Sequence, residues 1–168
     1  CPNGKSCLYI GDVGDNGKTR ANIIIYRVEE PAVDLAGANQ GKTAQADKFI
    51  LRYPDGAHDC ETLLVNPKTR DIILVTKTKD KQGDVYWLSG KTEPGEATLK
   101  KMGTINIGKE DLFTGGDFSP LGDQIILRTY SMGFLFAPGS DGIPKDSNKL
   151  GEIDLGVAIQ GEAVGYSH

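Results

Sequence analysis

Apolar and β-branched residues recur along this chain in short alternating runs, each closed by Gly, Pro, Asn or Asp. That spacing marks strands joined by tight turns, and no stretch carries the longer period of an amphipathic helix. The pattern predicts strands at Cys7–Val13, Asn22–Val28, Lys48–Tyr53, Cys60–Val65, Asp71–Thr78 and Asp84–Leu88. Six more follow at Thr98–Thr104, Gly115–Ser119, Gln124–Tyr130, Gly133–Phe136, Lys149–Leu155 and Glu162–Tyr166. Pro31–Asp47 is alanine-rich and polar and reads as a long loop; Ser89–Ala97 and Pro138–Asn148 read as loops on composition.

The strands repeat. Glu61–Lys77 lies without a gap over Thr114–Tyr130, 53 residues later, with the turn prolines Pro67 and Pro120, the Ile-Ile-Leu triplets and the threonines in register. Gln160–Tyr166 begins as Asp59–Val65 does, and Leu8–Asp12 falls over Ile72–Thr76. A period of about 50 residues with four strands per unit is the signature of a β-propeller, whose blades must stack to bury both faces. The fold expected is all-β: an incomplete propeller with a partial blade over 1–56, blades over 57–110 and 111–158, and the first strand of another over 159–168. About three blades are too few to close a ring that takes about 4 to 8. The expectation is part of a six- or seven-bladed ring, completed by a missing chain segment or by another copy.

Composition sharpens this picture. Together 22 Gly and 8 Pro make up about 18% of 168 residues, against about 12% on average, as frequent turns require. With 38% hydrophobic and 25% charged residues the chain is globular. A net charge of −4 leaves no basic surplus for nucleic acid, and no apolar run is long enough for a membrane span. Cys1 and Cys7 enclose a polar turn, so a small disulfide-closed hairpin is plausible, suiting a secreted or periplasmic protein; three reduced thiols are the alternative. Cys60, in an apolar run, reads as a buried free thiol.

Several segments resemble a group of secreted bacterial propeller proteins of uncertain function: Leu8–Asn16, Ile25–Val28 with Pro31, Tyr53–Gly56, Asp59–Glu61, Thr114–Pro120, Arg128–Tyr130 and Gln160–Ala163. The resemblance covers nearly the whole chain but specifies no reaction. In that group a first strand ending in an acidic motif precedes the Leu-Tyr-Ile-Gly-Asp segment, and this chain lacks it. More distantly the group is similar to phytase-like and gluconolactonase-like propellers, which carry calcium or another divalent ion near the channel.

Candidate chemistry is mostly acidic. Glu61 and Glu162 occupy equivalent positions at the start of innermost strands, Asp59 lies two before Glu61, and Asp12, Asp15 and Asn16 end a second strand on the same expected rim. Converging carboxylates repel unless a cation neutralises them, and calcium takes six to eight such oxygens. The alternative is that these acids cap turns. Asp12–Gly17 departs from the EF-hand spacing. Lys77, Arg128 and Tyr130, with His58, form a possible grip for an anionic group, although a lone strand Arg commonly pairs with a nearby acid, here Asp117. His58 beside Asp59 is a weak candidate base. No nucleophile elbow, paired Cys ligands, His-x-x-x-His or phosphate loop appears. Trp87 reads as packing between blades, with sugar stacking the alternative.

These residues lead to a secreted propeller binding or scaffold domain, with a calcium ion expected at the channel. A calcium-dependent phytase, lactonase or esterase is the second reading, and a protein-binding platform using Pro31–Asp47 the third.

Overall fold

The structure, a computed structural model, describes residues 1–32, 42–78, 82–106, 108, 112–156 and 160–167. It contains three four-stranded sheets. The first is ordered β1 (Cys7–Asp12), β2 (Ile23–Glu29), β3 (Asp47–Arg52) and β7 (Gly95–Thr98). The second is β4 (Cys60–Val65), β5 (Ile72–Thr76), β6 (Gln82–Leu88) and β8 (Lys100–Asn106). The third is β9 (Gly115–Phe118), β10 (Ile125–Arg128), β11 (Met132–Phe136) and β12 (Lys149–Asp154). The arrangement is propeller-like, with β4 and β9 side by side at the inner edge.

The internal repeat appears here as register. Val65 pairs with Ile72 and Phe118 with Ile125; Leu63 pairs with Leu74 and Gly116 with Leu127. Each pair is displaced by the same 53 residues. The turns explain the conserved spacing within the chain. Asn66 Oδ1 accepts the N–H groups of Lys68 and Thr69, at 2.9 and 3.2 Å. Ser119 Oγ accepts those of Asp123 and Gln124, at 3.1 and 3.0 Å. A side chain that bonds to the backbone ahead of it, followed by Pro67 or Pro120, sets the same reversal twice. Thr76 and Thr129 serve the next hairpin, accepting the N–H groups of Asp84 and Met132.

Two apolar clusters join the sheets. One combines Ile23, Ile25, Phe49 and Leu51 of the first sheet with Ile72, Leu74, Tyr86 and Leu88 of the second. The other combines Ile73, Val75 and Val85 of the second with Ile125, Leu127, Phe134 and Phe136 of the third. Successive residues of β5 thus face opposite neighbours, and all five are buried. In β1, the equivalent strand, Leu8 and Ile10 are 43% and 57% exposed.

Two expectations need correction. Ser89–Ala97 does not read through as a loop: Gly95–Thr98 forms β7, which crosses to the first sheet and pairs in parallel with Phe49–Arg52. Glu162–Tyr166 forms no strand; the segment runs beside β9 and is held by side chains rather than by a ladder. Cys1 and Cys7 are disulfide-bonded, and Cys60 is a buried free thiol. No helix among the described residues is long and apolar enough to cross a membrane.

Gly83 in β6 marks the tightest point of the second cluster. A Cβ there would lie 2.6 Å from Phe113 Cδ2 and 2.7 Å from Val75 Cγ1. Gly83→Ala is therefore expected to destabilise the fold by about 1–3 kcal/mol through overpacking. Urea unfolding of the two proteins checks this; equal midpoints would show that the contact can relax freely.

Candidate functional site

The start of β4 is tied to the end of β1 by a carboxylate. Asp59 Oδ1 accepts the Asp15 N–H at 2.7 Å, and both residues are buried. Asp15 Oδ2 in turn accepts the Arg20 N–H at 2.8 Å. That bond, first among several donors at this turn, lowers the Asp15 pKa against the opposing effect of burial. The Arg20 guanidinium grips Asp12 with both arms, at 2.8 and 3.0 Å. This fork holds the Asp12 carboxyl below its ordinary pKa. Asn16 lies exposed in the same turn. These acids cap a turn and fasten two sheets.

Glu61 lies one residue into β4 and takes a different partner. Lys77 Nζ, just beyond the end of β5, donates to Glu61 Oε1 at 2.7 Å and to the Tyr130 hydroxyl at 3.0 Å. Burial acts to lower the Lys77 pKa, but these two bonds outweigh it and raise the value. Glu61 Oε2 is buried and has no hydrogen-bond partner among the described residues. Arg128 is turned away from this group: its Nη1 donates to the Ala163 carbonyl at 3.1 Å. A Cβ on Gly161 would lie 1.9 Å from Arg128 Nη2, so a larger residue there would displace the guanidinium. Thr114 Oγ1 adds a 2.6 Å bond to the Gly161 carbonyl. Asp117, the acid expected beside Arg128, instead accepts the N–H groups of Phe118 and Tyr166.

The anchored segment forms one wall of an inner cleft of about 350 Å³, lined by Gly11, Glu61, Thr114 and Glu162 among others. Glu61 and Glu162, the pair at equivalent repeat positions, therefore share one cleft, and Glu162 is exposed to solvent there. Asp12, Asp15 and Asn16 do not line it. A calcium cage needs six to eight oxygens around one point. Among the described residues no three His, Cys, Asp or Glu side chains are placed to hold a metal ion. The six residues expected as ligands do not fit a resident calcium in this arrangement, since Asp12 and Glu61 already bind Arg20 and Lys77.

His58 belongs to a separate network. Its Nε2 lies 2.9 Å from both Asp55 Oδ1 and the Tyr86 hydroxyl. The Tyr86 hydroxyl donates to Asp55 at 2.8 Å, and Lys101 Nζ bridges Asp55 and Asp84, each at 2.8 Å. Tyr53 packs edge-on against Tyr86 and His58 with ring centroids 4.6 and 5.0 Å away. Pattern alone did not indicate this network, because Asp55 is 31 residues from Tyr86 and 46 from Lys101. Beneath it, burial pushes the Cys60 thiol up to about 12. Such a thiol is neutral at ordinary pH and a poor nucleophile. Residues 33–41 of the expected binding loop, and His168, lie outside the described residues.

Burial acts to raise the Asp55 pKa, but hydrogen bonds from Lys101, Tyr86 and His58 prevail and hold it well below the carboxylate range. A carboxyl held low in the fold binds protons more readily when unfolded. Its stabilisation is present above the unfolded value of about 3.9 and is lost as pH falls through the folded value. Asp55→Asn is expected to cost about 1 kcal/mol at neutral pH, because Tyr86 and Lys101 lose a charged acceptor. The gap between variant and parent should narrow in acid. Thermal melts across pH check both, and a gap that widens below pH about 4 would contradict the assignment.

Comparison with known proteins supports the fold and stops there. No protein-family model matches the chain, and no curated protein matches it in sequence. Among solved structures, the crystal structure of a protein from Lactobacillus plantarum superposes with a TM-score of 0.52 at 12% sequence identity. The match covers 89% of this chain and 38% of that one, so this chain spans well under half of its neighbour's length. That neighbour is propeller-like, and the likeness establishes a propeller-like all-β scaffold here.

Proposed function

We propose that this chain is part of an exported β-propeller binding domain that takes a small cation at its inner cleft. The supporting observation is Glu61, whose Oε2 is buried without a hydrogen-bond partner among the described residues. It shares its cleft with the exposed carboxylate of Glu162. A buried carboxylate oxygen left unpaired is costly, and a cation or a donor-bearing ligand relieves that cost. Lys77 satisfies only the other oxygen. Export is supported by the disulfide between Cys1 and Cys7, which persists in oxidising compartments. The hydrolase reading draws no support from His58, which is engaged with Asp55 and Tyr86 and does not line the cleft.

Calcium and an organic diamine such as cadaverine share the required charge, and a titration separates them. Calorimetry of the full chain with each should give heat for one, together with a higher melting temperature. At a ligand concentration about a hundred times Kd the added stability is about 2.7 kcal/mol. Glu61→Gln and Glu162→Gln are each expected to weaken binding at least about tenfold, or 1.4 kcal/mol. Heat from calcium alone would recover the metal reading with ligands drawn partly from solvent. No heat and no shift with either cation would end the proposal.

A further inference from the structure

A larger cavity than the inner cleft lies elsewhere. A groove of about 720 Å³ runs between the turns of the second and third sheets, within the size range of small-ligand sites. We propose that it is a carbohydrate subsite with Trp87 as its apolar platform. Trp87 is half-buried: part of its surface packs on the core cluster while the residue also lines the groove. Beside it Asn66 is 5% exposed, its Oδ1 fixed by the Lys68 and Thr69 N–H groups. Its Nδ2 lies against Gly142, 2.9 Å from where a Cβ would stand there, which places an amide donor in the groove wall. Lys68 and Lys100 also line the groove and are exposed. Asp71 and Asp123 each commit one oxygen to the protein, bonding Gly90 N–H at 2.7 Å and Ser119 Oγ at 2.6 Å, and keep the other.

This mixture selects a ligand class by exclusion. A purely anionic ligand meets Asp71 and Asp123, a purely cationic one meets Lys68 and Lys100, and a purely apolar one leaves the Asn66 amide dry and unpaired. A pyranose ring satisfies all of them. Its C–H face lies against an indole, and its hydroxyls both donate and accept. The position is distinct from the inner cleft, with which it shares no lining residue.

Trp87 is the only tryptophan, so intrinsic fluorescence reports on this groove directly. The full chain titrated with maltotriose, cellotriose and chitotriose should show a saturable change with at least one, at a Kd of about 1 mM. Exchanging the two exposed lysines, Lys68→Ala with Lys100→Ala, should weaken that binding severalfold without moving the melting temperature. Trp87→Phe, followed by calorimetry, should weaken it about tenfold. Glu61→Gln should bind the sugar as the parent does. The proposal is overturned if no trisaccharide gives a saturable signal up to about 50 mM. It is equally overturned if both groove variants bind unchanged, or if Glu61→Gln abolishes binding.

Discussion

Everything in this molecule depends on one sheet being buried on both faces. The strand Ile72–Thr76 sends Ile72 and Leu74 to one neighbouring sheet and Ile73 and Val75 to the other. A strand with apolar side chains on both faces cannot lie at the surface of a soluble fold, so it requires a sheet on each side. The first and third sheets supply those, and the three stack with their inner strands converging. The β1 strand shows the contrast: the same position in the repeat, with a polar or exposed outer side, leaves Leu8 and Ile10 in solvent. The difference in exposure between equivalent strands measures what a neighbouring sheet contributes.

Stacking by apolar faces also decides where polar groups collect. Where the sheets pack face to face, the polar side chains that join one sheet to the next meet at strand ends. Asp59 ties the β1 turn to β4, and Lys77 spans from Glu61 of one sheet to Tyr130 of the next. Arg128 and Thr114 hold the backbone at Gly161 and Ala163. The bonds of Asp59 and Lys77 cross between sheets, and those of Arg128 and Thr114 fasten the segment beside β9. They define the inner cleft as a by-product of joining the sheets, and Glu61 Oε2 and Glu162 are left there to meet a ligand.

How much of this was legible in the sequence follows from the range of each interaction. The hairpins of the second and third sheets were readable because Asn66-Pro67 and Ser119-Pro120 act locally, and a fixed offset of 53 residues carried their register. The β7 strand was not readable: Gly95–Thr98 has no alternating apolar run, and it pairs with a sheet other than that of its chain neighbours. The strand expected at Glu162–Tyr166 failed for the converse reason, since its pattern was right but side chains of Arg128, Thr114 and Asp117 hold its backbone instead of a ladder. Among candidate residues, the shared cleft of Glu61 and Glu162 followed from repeat equivalence. The clustering of Asp12, Asp15 and Asn16 with them did not, because Arg20, only eight residues from Asp12, takes that carboxylate first.

Although the chain is acidic, no three carboxylates among the described residues are grouped to hold a metal ion. Three of the acids are matched by a cation from a nearby strand or turn: Asp12 by Arg20, Glu61 by Lys77, Asp55 by Lys101. Pairs at this degree of exposure contribute modest stability, so their main effect is to keep like charges apart while fixing which sheets meet. Neutralisation by protein cations engages one oxygen of Glu61 at the inner edge and leaves the other unpaired among the described residues. It also leaves the outer groove, where Lys68 and Lys100 face Asp71 and Asp123, close to electrically balanced. A balanced, donor-rich wall beside an indole discriminates by hydroxyl pattern rather than by charge, and the two clefts of this chain are thereby suited to chemically different ligands.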